Sequence, residues 1–429
     1  MFRLSQKELI EWKNTKNFKP LLLTGARQVG KTWLMKNLGQ SEFEHFIYLN
    51  FEREPSFQNL FAGDLNINKI IETISIMSKQ KVVDGKTLLI FDEIQEAPGA
   101  LTSLKYFAED RPDLHVIAAG SLLGVTLEKG SFPVGKVNFM KINPMNFYEF
   151  LKATTYSSLS ELLEKGDVNI ISSFKEQFTQ ALRAYFLVGG MPEAVAAYAD
   201  RSTDYDSVKR IQESILGAYM QDFAKHAPAT LIPKIIQLWN SIVSQLAKEN
   251  KKFMYGVIKT GARAREYELA IDWLINYGLL HQVFAVNKVT FPLTAYRNLK
   301  CFKIYILDVG LLAHMANLTP DVVLDNDTFF KEFKGALTEQ FVMQELVAKK
   351  AKNLSYWTNE NGMAGVDFIF EREGQFIPIE VKAGENLQAK SLRVFHEKHP
   401  QIHCFRTSLS DFRKEDWMTN IPIYAMDIL

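Results

Sequence analysis

Two cysteines in 429 residues, Cys301 and Cys404, are too few for a disulfide framework or a thiolate metal site, and they point to a reducing compartment. No run of 18 apolar residues occurs, and Met1 to Lys16 mixes charged with apolar residues, so neither a membrane span nor a secretory leader is expected. An excess of one charge is also lacking. Fifty Lys and Arg against 49 Asp and Glu leave +1, so there is no global pull toward nucleic acid or anionic lipid, and any such partner must be held by a local patch. Glycine (23) and proline (14) are sparse and no residue type dominates a stretch, which excludes collagen-like, low-complexity and disordered chains. What is present is a 47% hydrophobic share over a length fit for about three domains. The expectation is a soluble, cytoplasmic, multidomain α/β protein with no membrane partner.

The strongest motif opens early. Leu21-Leu22-Leu23 reads as a short buried strand, Gly25-Ala26-Arg27-Gln28-Val29-Gly30-Lys31-Thr32 follows, and Trp33 to Leu38 is helix-like. This is G-x4-G-K-T in a strand, loop, helix setting. Loop glycines let backbone N–H groups turn toward a polyphosphate at the positive end of a helix; Lys31 can reach its outer oxygens, and Thr32 can ligate Mg²⁺. A second apolar strand, Leu88 to Phe91, runs into Asp92-Glu93. Carboxylates at the C-terminal edge of a parallel strand suit a Mg²⁺ shell (Asp92) and the orientation or deprotonation of an attacking water (Glu93). A third strand, His115 to Ala119, ends in Gly120-Ser121, and Ser121 is placed to sense a γ-phosphate. ATP and Mg²⁺ are the cofactors these residues imply.

GARQVGKT at 25–32, FDEIQ at 91–95, AAGS at 118–121, INPMNFYEFL at 142–151 and GGMPEA at 189–194 together resemble the AAA-family ATP-binding proteins of bacteria and archaea that carry a C-terminal domain of unknown function. The resemblance spans nearly the whole chain. By analogy with related signal-transducing ATPases, it implies that Pro192 touches adenine. It also puts an arginine finger in question. Arg111 lies before the third strand, and Lys136 stands where relatives often have Arg, although lysine lacks the bidentate fork that speeds turnover.

Residues 152–175 read as a polar connection with one short helix. Apolar residues then recur at helical spacing: Val208, Ile211, Ile215, Tyr219, Phe223, then Ile232, Ile235, Trp239, Ile242, Leu246. The pattern predicts a helical lid leading into a winged helix, with a recognition-type helix from Ala264 to Tyr277, a wing strand from Leu279 to Val286, and Lys259, Arg263 and Arg265 clustered at the helix start.

The C-terminal strands carry a second constellation. If Glu373-Gly374 turns a two-residue hairpin, paired positions sum to 747. Val366 then faces Val381, Phe368 faces Ile379 and Phe370 faces Ile377 on an apolar side, and Asp367 stands opposite Glu380 on the other. Two carboxylates about 5 Å apart repel unless a cation or a proton lies between them, and the arrangement asks for Mg²⁺. Lys382 shares their face, and Glu339 comes from an upstream helix with Leu337, Phe341 and Leu346 on its apolar side. Asp, then Glu-x-Lys, after a Glu-bearing helix resembles the PD-(D/E)XK nuclease fold. The resemblance implies phosphodiester hydrolysis by Asp367, Glu380 and Lys382, with metal held by Asp367, Glu380 and Glu339. Gly365 stands where relatives often have an acidic residue.

The expected architecture is therefore α/β: an N-terminal helix (1–18), a P-loop ATPase core with a parallel sheet (19–151), a helical lid (152–230), a winged-helix region (231–327) and a nuclease-like domain (328–429). The expected function is ATP binding and Mg²⁺-dependent hydrolysis coupled to a C-terminal domain that binds or cleaves DNA. The alternative is an ATP switch gating a protein partner, with the nuclease-like domain silent. Homo-oligomerisation is compatible with either.

Overall fold

A computed structural model describes residues 1–120, 135–201, 204–248, 252–324, 331–359, 364–385 and 389–429. Two compact units are present: Phe2–Asn143 with Asn276–Gly278, and Pro144–Ile275 with Leu279–Leu429.

The N-terminal unit is built on five parallel strands, β1 (Leu21–Thr24), β2 (His45–Asn50), β3 (Thr87–Asp92), β4 (His115–Ala119) and β5 (Asn138–Lys141), in the order β2-β3-β4-β1-β5. β3 and β4 are fully buried, as parallel strands covered on both faces must be. Leu89, Phe91, Val116 and Ala118 from these strands pack with Ile70, Ile74, Leu104 and Phe107 from helices Ile67–Ser78 and Pro98–Asp110. At the C-terminal edge of this sheet, β1 runs through the glycine loop into helix Lys31–Glu42.

The C-terminal unit begins with helices. The stretch expected to hold one short helix holds two, Ser157–Lys165 and Val168–Ser173. The second starts because Asp167 caps it, accepting from the N–H groups of Asn169 and Ile170. Helices Tyr205–His226 and Ile232–Leu246 bury Val208, Ile215, Tyr219, Phe223, Ile235, Trp239, Ile242 and Leu246 of the predicted stripe, with Ile211 and Ile232 half-buried at its edges. Helix Ala264–Tyr277 then leads into β6 (Leu280–Val286), which pairs antiparallel with β7 (Arg297–Ile306).

That hairpin does not stand alone as a wing. β6 also pairs in parallel with β8 (Lys352–Thr358), which joins β9 (Gly365–Arg372), β10 (Gln375–Val381), β11 (Cys404–Ser408), β12 (Arg413–Lys414) and β13 (Met418–Pro422) in one eight-stranded sheet, ordered β12-β13-β11-β10-β9-β8-β6-β7. The division expected between residues 327 and 328 lies outside the described residues; the strands on either side of it belong to one continuous sheet. A sequence separation of about 65 residues between the paired strands hides this from local pattern reading.

The GGMPEA segment is a buried turn in this unit. The Gly190 N–H donates to Asp308 Oδ2 at 2.6 Å and its carbonyl accepts from Met145 N–H at 2.7 Å. A Cβ at Gly190 would lie 1.9 Å from the Met145 carbonyl oxygen, so only glycine fits. Nearby, the buried Glu345 accepts from the Phe147 N–H at 2.8 Å, and burial pushes its pKa up to about 8 from 4.5. Its folded-state pKa lies above the unfolded value, so the stability tied to the protonated form is complete below about 4.5 and is lost as pH rises through about 8. Glu345→Gln keeps the acceptor without the charge. Its melting temperature is expected to exceed the parent's by several degrees at pH above 8, with the gap closing toward pH 5; a gap independent of pH would contradict this.

Candidate functional site

The glycine loop adopts a backbone that side chains with a Cβ resist. Gly25 has φ 133°, Gln28 φ 67° and Gly30 φ 93°. A Cβ on Gly25 would sit 2.2 Å from the Ile142 carbonyl oxygen. Among the described residues, the N–H groups of Gln28, Val29 and Gly30 find no acceptor. Three donors left open at the start of a 12-residue helix form a cradle suited to phosphate oxygens. Arg3, buried, fixes the loop from outside. It donates to the carbonyls of Val29 (2.9 Å) and Asn143 (2.7 Å). No periodicity or motif marks this arginine in the sequence.

Lys31 is buried and folds back onto the loop, with Nζ donating to the carbonyls of Gly25 (2.9 Å) and Ala26 (2.8 Å). Burial depresses its pKa to about 8, opposed by the neighbouring Glu93 and Asp92. Thr32 Oγ1 donates to Asp92 Oδ2 at 2.8 Å, and the Tyr48 hydroxyl donates to the same oxygen at 2.7 Å. Asn50 holds that hydroxyl at 3.1 Å. Tyr48 and Asn50 were not singled out from the sequence. The parallel register Tyr48↔Ile90 and Asn50↔Asp92 brings them in, and a register needs the neighbouring strand to be known.

Thr32 and Asp92 offer hard oxygen donors, and their 2.8 Å separation is close to the roughly 2.9 Å edge of an octahedron with Mg–O near 2.1 Å. The donor set fits Mg²⁺, and the open loop N–H groups fit a polyphosphate. Glu93 takes the left-handed conformation, φ 52°, a costly backbone state for a residue with a side chain and one that clusters at functional sites. Gln95 Nε2 donates to its Oε2 at 2.7 Å. Burial raises the Glu93 pKa, and Asp92 adds to the shift. Arg111 is engaged by Asp84, with contacts at 2.6 and 3.3 Å, and Lys136 pairs with Glu109 at 3.2 Å. Ser121 lies outside the described residues. Pro192 is in the other unit and opens helix Pro192–Asp200, directly after the turn pinned by Asp308.

The second constellation assembles in part. Glu373 (φ 50°) and Gly374 (φ 74°) form the expected tight turn, and the ladder runs from Gln375↔Arg372 to Ile379↔Phe368 in the expected register. One step further stand Asp367 and the buried Glu380. Val381 N–H donates to Asp367 Oδ2 at 2.9 Å, and Lys382 Nζ pairs with Glu380 Oε1 at 2.8 Å. Among the described residues, Glu380 Oε2 is buried without a hydrogen-bond partner, and burial raises the Glu380 pKa. Asp367, Glu380 and Lys382 line an open cleft of about 650 Å³ with Lys303, Tyr356 and Trp357.

Glu339 does not complete a carboxylate cage. Lys303, from β7, inserts its ammonium 2.8 Å from Glu339 Oε1 and 3.4 Å from Asp367 Oδ1, and Tyr305 also donates to Glu339. Burial works against the Lys303 charge, yet Glu339 and Asp367 hold its pKa above the ordinary value. Among the described residues, no group of three or more His, Cys, Asp and Glu side chains is arranged to hold a metal. An internal ammonium therefore lies between Glu339 and Asp367. Lys303 was missed because its strand was read as part of a separate wing.

A parallel sheet, a glycine cradle at a helix start and a Lys, Thr, Asp, Glu set define a P-loop nucleotide-binding domain. Residues 17–151 match the AAA domain model. Residues 179–322 and 334–426 match two models, each described as a domain of unknown function. No curated protein matches the chain. Similar solved structures include the Walker-type ATPase PABY2304 of Pyrococcus abyssi (14% identity, 72% of this chain and 94% of that one, TM-score 0.42). Two others are C. elegans PCH-2 (19%, 38% and 46%, TM-score 0.22) and the Aeropyrum pernix ORC1 protein in complex with DNA (12%, 73% and 90%, TM-score 0.26). Among the described residues, no helix is long and apolar enough to cross a membrane.

Proposed function

We propose that the N-terminal unit binds ATP with Mg²⁺ and hydrolyses it. The observation that carries this is the convergence of Lys31, Thr32, Asp92 and Glu93 beside a loop with open N–H donors. Lys31 would exchange the Gly25 and Ala26 carbonyls for phosphate oxygens, gaining charge-assisted bonds in place of neutral ones. Thr32 and Asp92 would hold Mg²⁺, which when bound neutralises charge on the phosphates. Glu93, oriented by Gln95, would position a water and accept its proton. With Arg111 tied to Asp84, no arginine finger is assigned within the unit, and the basal rate is that of a slow switch. Phosphate release by the purified chain with Mg²⁺ and ATP tests the reading; its absence would overturn it.

For the C-terminal unit we propose nucleic-acid binding, supported by the open cleft around Lys382 and by the exposed Lys259, Arg263 and Arg265 at the head of helix Ala264–Tyr277. The Lys303 ammonium, paired with Glu339 and 3.4 Å from Asp367 Oδ1, engages two of the carboxylates a catalytic metal would use and so favours binding over cutting. The parent is not expected to nick DNA with Mg²⁺ or Mn²⁺. Metal-dependent nicking by the parent, lost in Glu380→Ala, would restore Asp367, Glu380 and Lys382 as a nuclease centre.

A further inference from the structure

A row of polar side chains crosses the C-terminal sheet. Glu380 on β10, beside Asp367 of β9, is in register with Arg406 on β11, Arg406 with Asn420 on β13, and Asn420 with Arg413 on β12. Charge changes sign along the row. Beyond the carboxylate end lies a second cleft of about 340 Å³, lined by Lys390, Arg393, Arg406, Arg413, Glu415 and Trp417. Glu415, the one acid there, is taken by Arg413 at 3.0 Å.

Arg406 is buried, and its Nε donates to Asn420 Oδ1 at 2.9 Å. Asn420 is itself fixed by donating to the carbonyls of Ser410 (3.1 Å) and Asp411 (2.9 Å). A guanidinium held this way loses little freedom on meeting an anion. Lys390 and Arg393 are exposed in the first turn of helix Lys390–Lys398, where the helix dipole adds positive potential. Arg393 lies 5.6 Å over the Trp417 ring, which gives the cleft an aromatic wall.

We propose that this cleft is a phosphate-binding subsite for a polynucleotide, whose backbone runs along the row toward Asp367 and Glu380. The inference rests on the nucleic-acid reading of the C-terminal unit. From Asp367 to Arg413 the row crosses four strand spacings, about 19 Å. That length suits several linked nucleotides rather than one free phosphate.

The test uses the full chain and a fluorescein-labelled single-stranded oligonucleotide, followed by anisotropy over a range of salt. Lys390→Ala/Arg393→Ala alters only exposed side chains. It is expected to bind about tenfold more weakly at low salt and to lower the slope of log affinity against log salt by about 1.4, as for two lost phosphate contacts. Arg406→Gln, checked for a parent-like melting temperature, is expected to shift affinity the same way. A double variant with parental affinity and slope overturns the subsite and leaves the nucleic-acid reading intact. A parent chain that binds no oligonucleotide at any salt overturns that reading, and the subsite with it. Binding of inorganic phosphate by the parent that is lost in the double variant, while oligonucleotide affinity and salt slope stay parental, assigns the cleft to free phosphate and overturns the polynucleotide.

Discussion

Glu93→Gln is expected to bind ATP about as well as the parent while releasing phosphate some 10²- to 10⁴-fold more slowly, the usual weight of a positioned general base. Glutamine keeps the size of the side chain and can keep the Gln95 contact, but it cannot take a proton. The parent's pH profile carries a second signature. Burial raises the Glu93 pKa, and only the deprotonated form acts as a base. Turnover should therefore fall as pH drops through a value above the ordinary carboxylate range, and the variant's residual rate should lack that limb. A phosphate-release profile with the same acid limb in both proteins would remove Glu93 from the mechanism.

Lys31→Ala is expected to weaken ATP binding by about 10- to 100-fold, as for the loss of a hydrogen bond made by a charged group. The fold should not suffer, because the substitution removes a buried charge and not a packing residue. Lys31 is depressed to about 8 by burial, so the parent's affinity should decline as pH rises past about 8 and the ammonium is lost. Phosphate oxygens favour the charged form, so binding near that pH should take up a proton. Calorimetry in buffers of different ionisation heat reads this uptake directly. Parent and variant showing the same pH dependence would contradict the role.

The P-loop was legible because a strand, a glycine loop and a helix are contiguous and each piece needs only its neighbours. The hairpin register was legible for a different reason. Phe368 with Ile379 and Phe370 with Ile377 leave one pairing that buries a full apolar face, and Glu373-Gly374 can take the two left-handed conformations the turn requires. What escaped was everything delivered by distant pairing. Tyr48 reaches Asp92 through strand register, Arg3 reaches the loop from a segment with no pattern, and Lys303 enters the carboxylate cluster on a strand that belongs to the same sheet only because β6 pairs with β8. Lys303 changed the chemistry most. Asp367 has a cation within reach from its own chain, the Lys303 ammonium, and Glu380 pairs with Lys382.

The buried turn at Gly189-Gly190 shows the same division. In GGMPEA, glycine at 190 is required because Gly190 is locked between Asp308 and Met145, the first a pairing across 118 residues that no local pattern shows, and Pro192 opens a helix.

Titration of the purified chain with ATP and Mg²⁺ in a calorimeter tests the central claim most directly. One ATP per chain should bind with measurable heat, and the heat should be lost or strongly reduced in Lys31→Ala. Folded parent protein that gives no heat with any nucleoside triphosphate would contradict the account at its root.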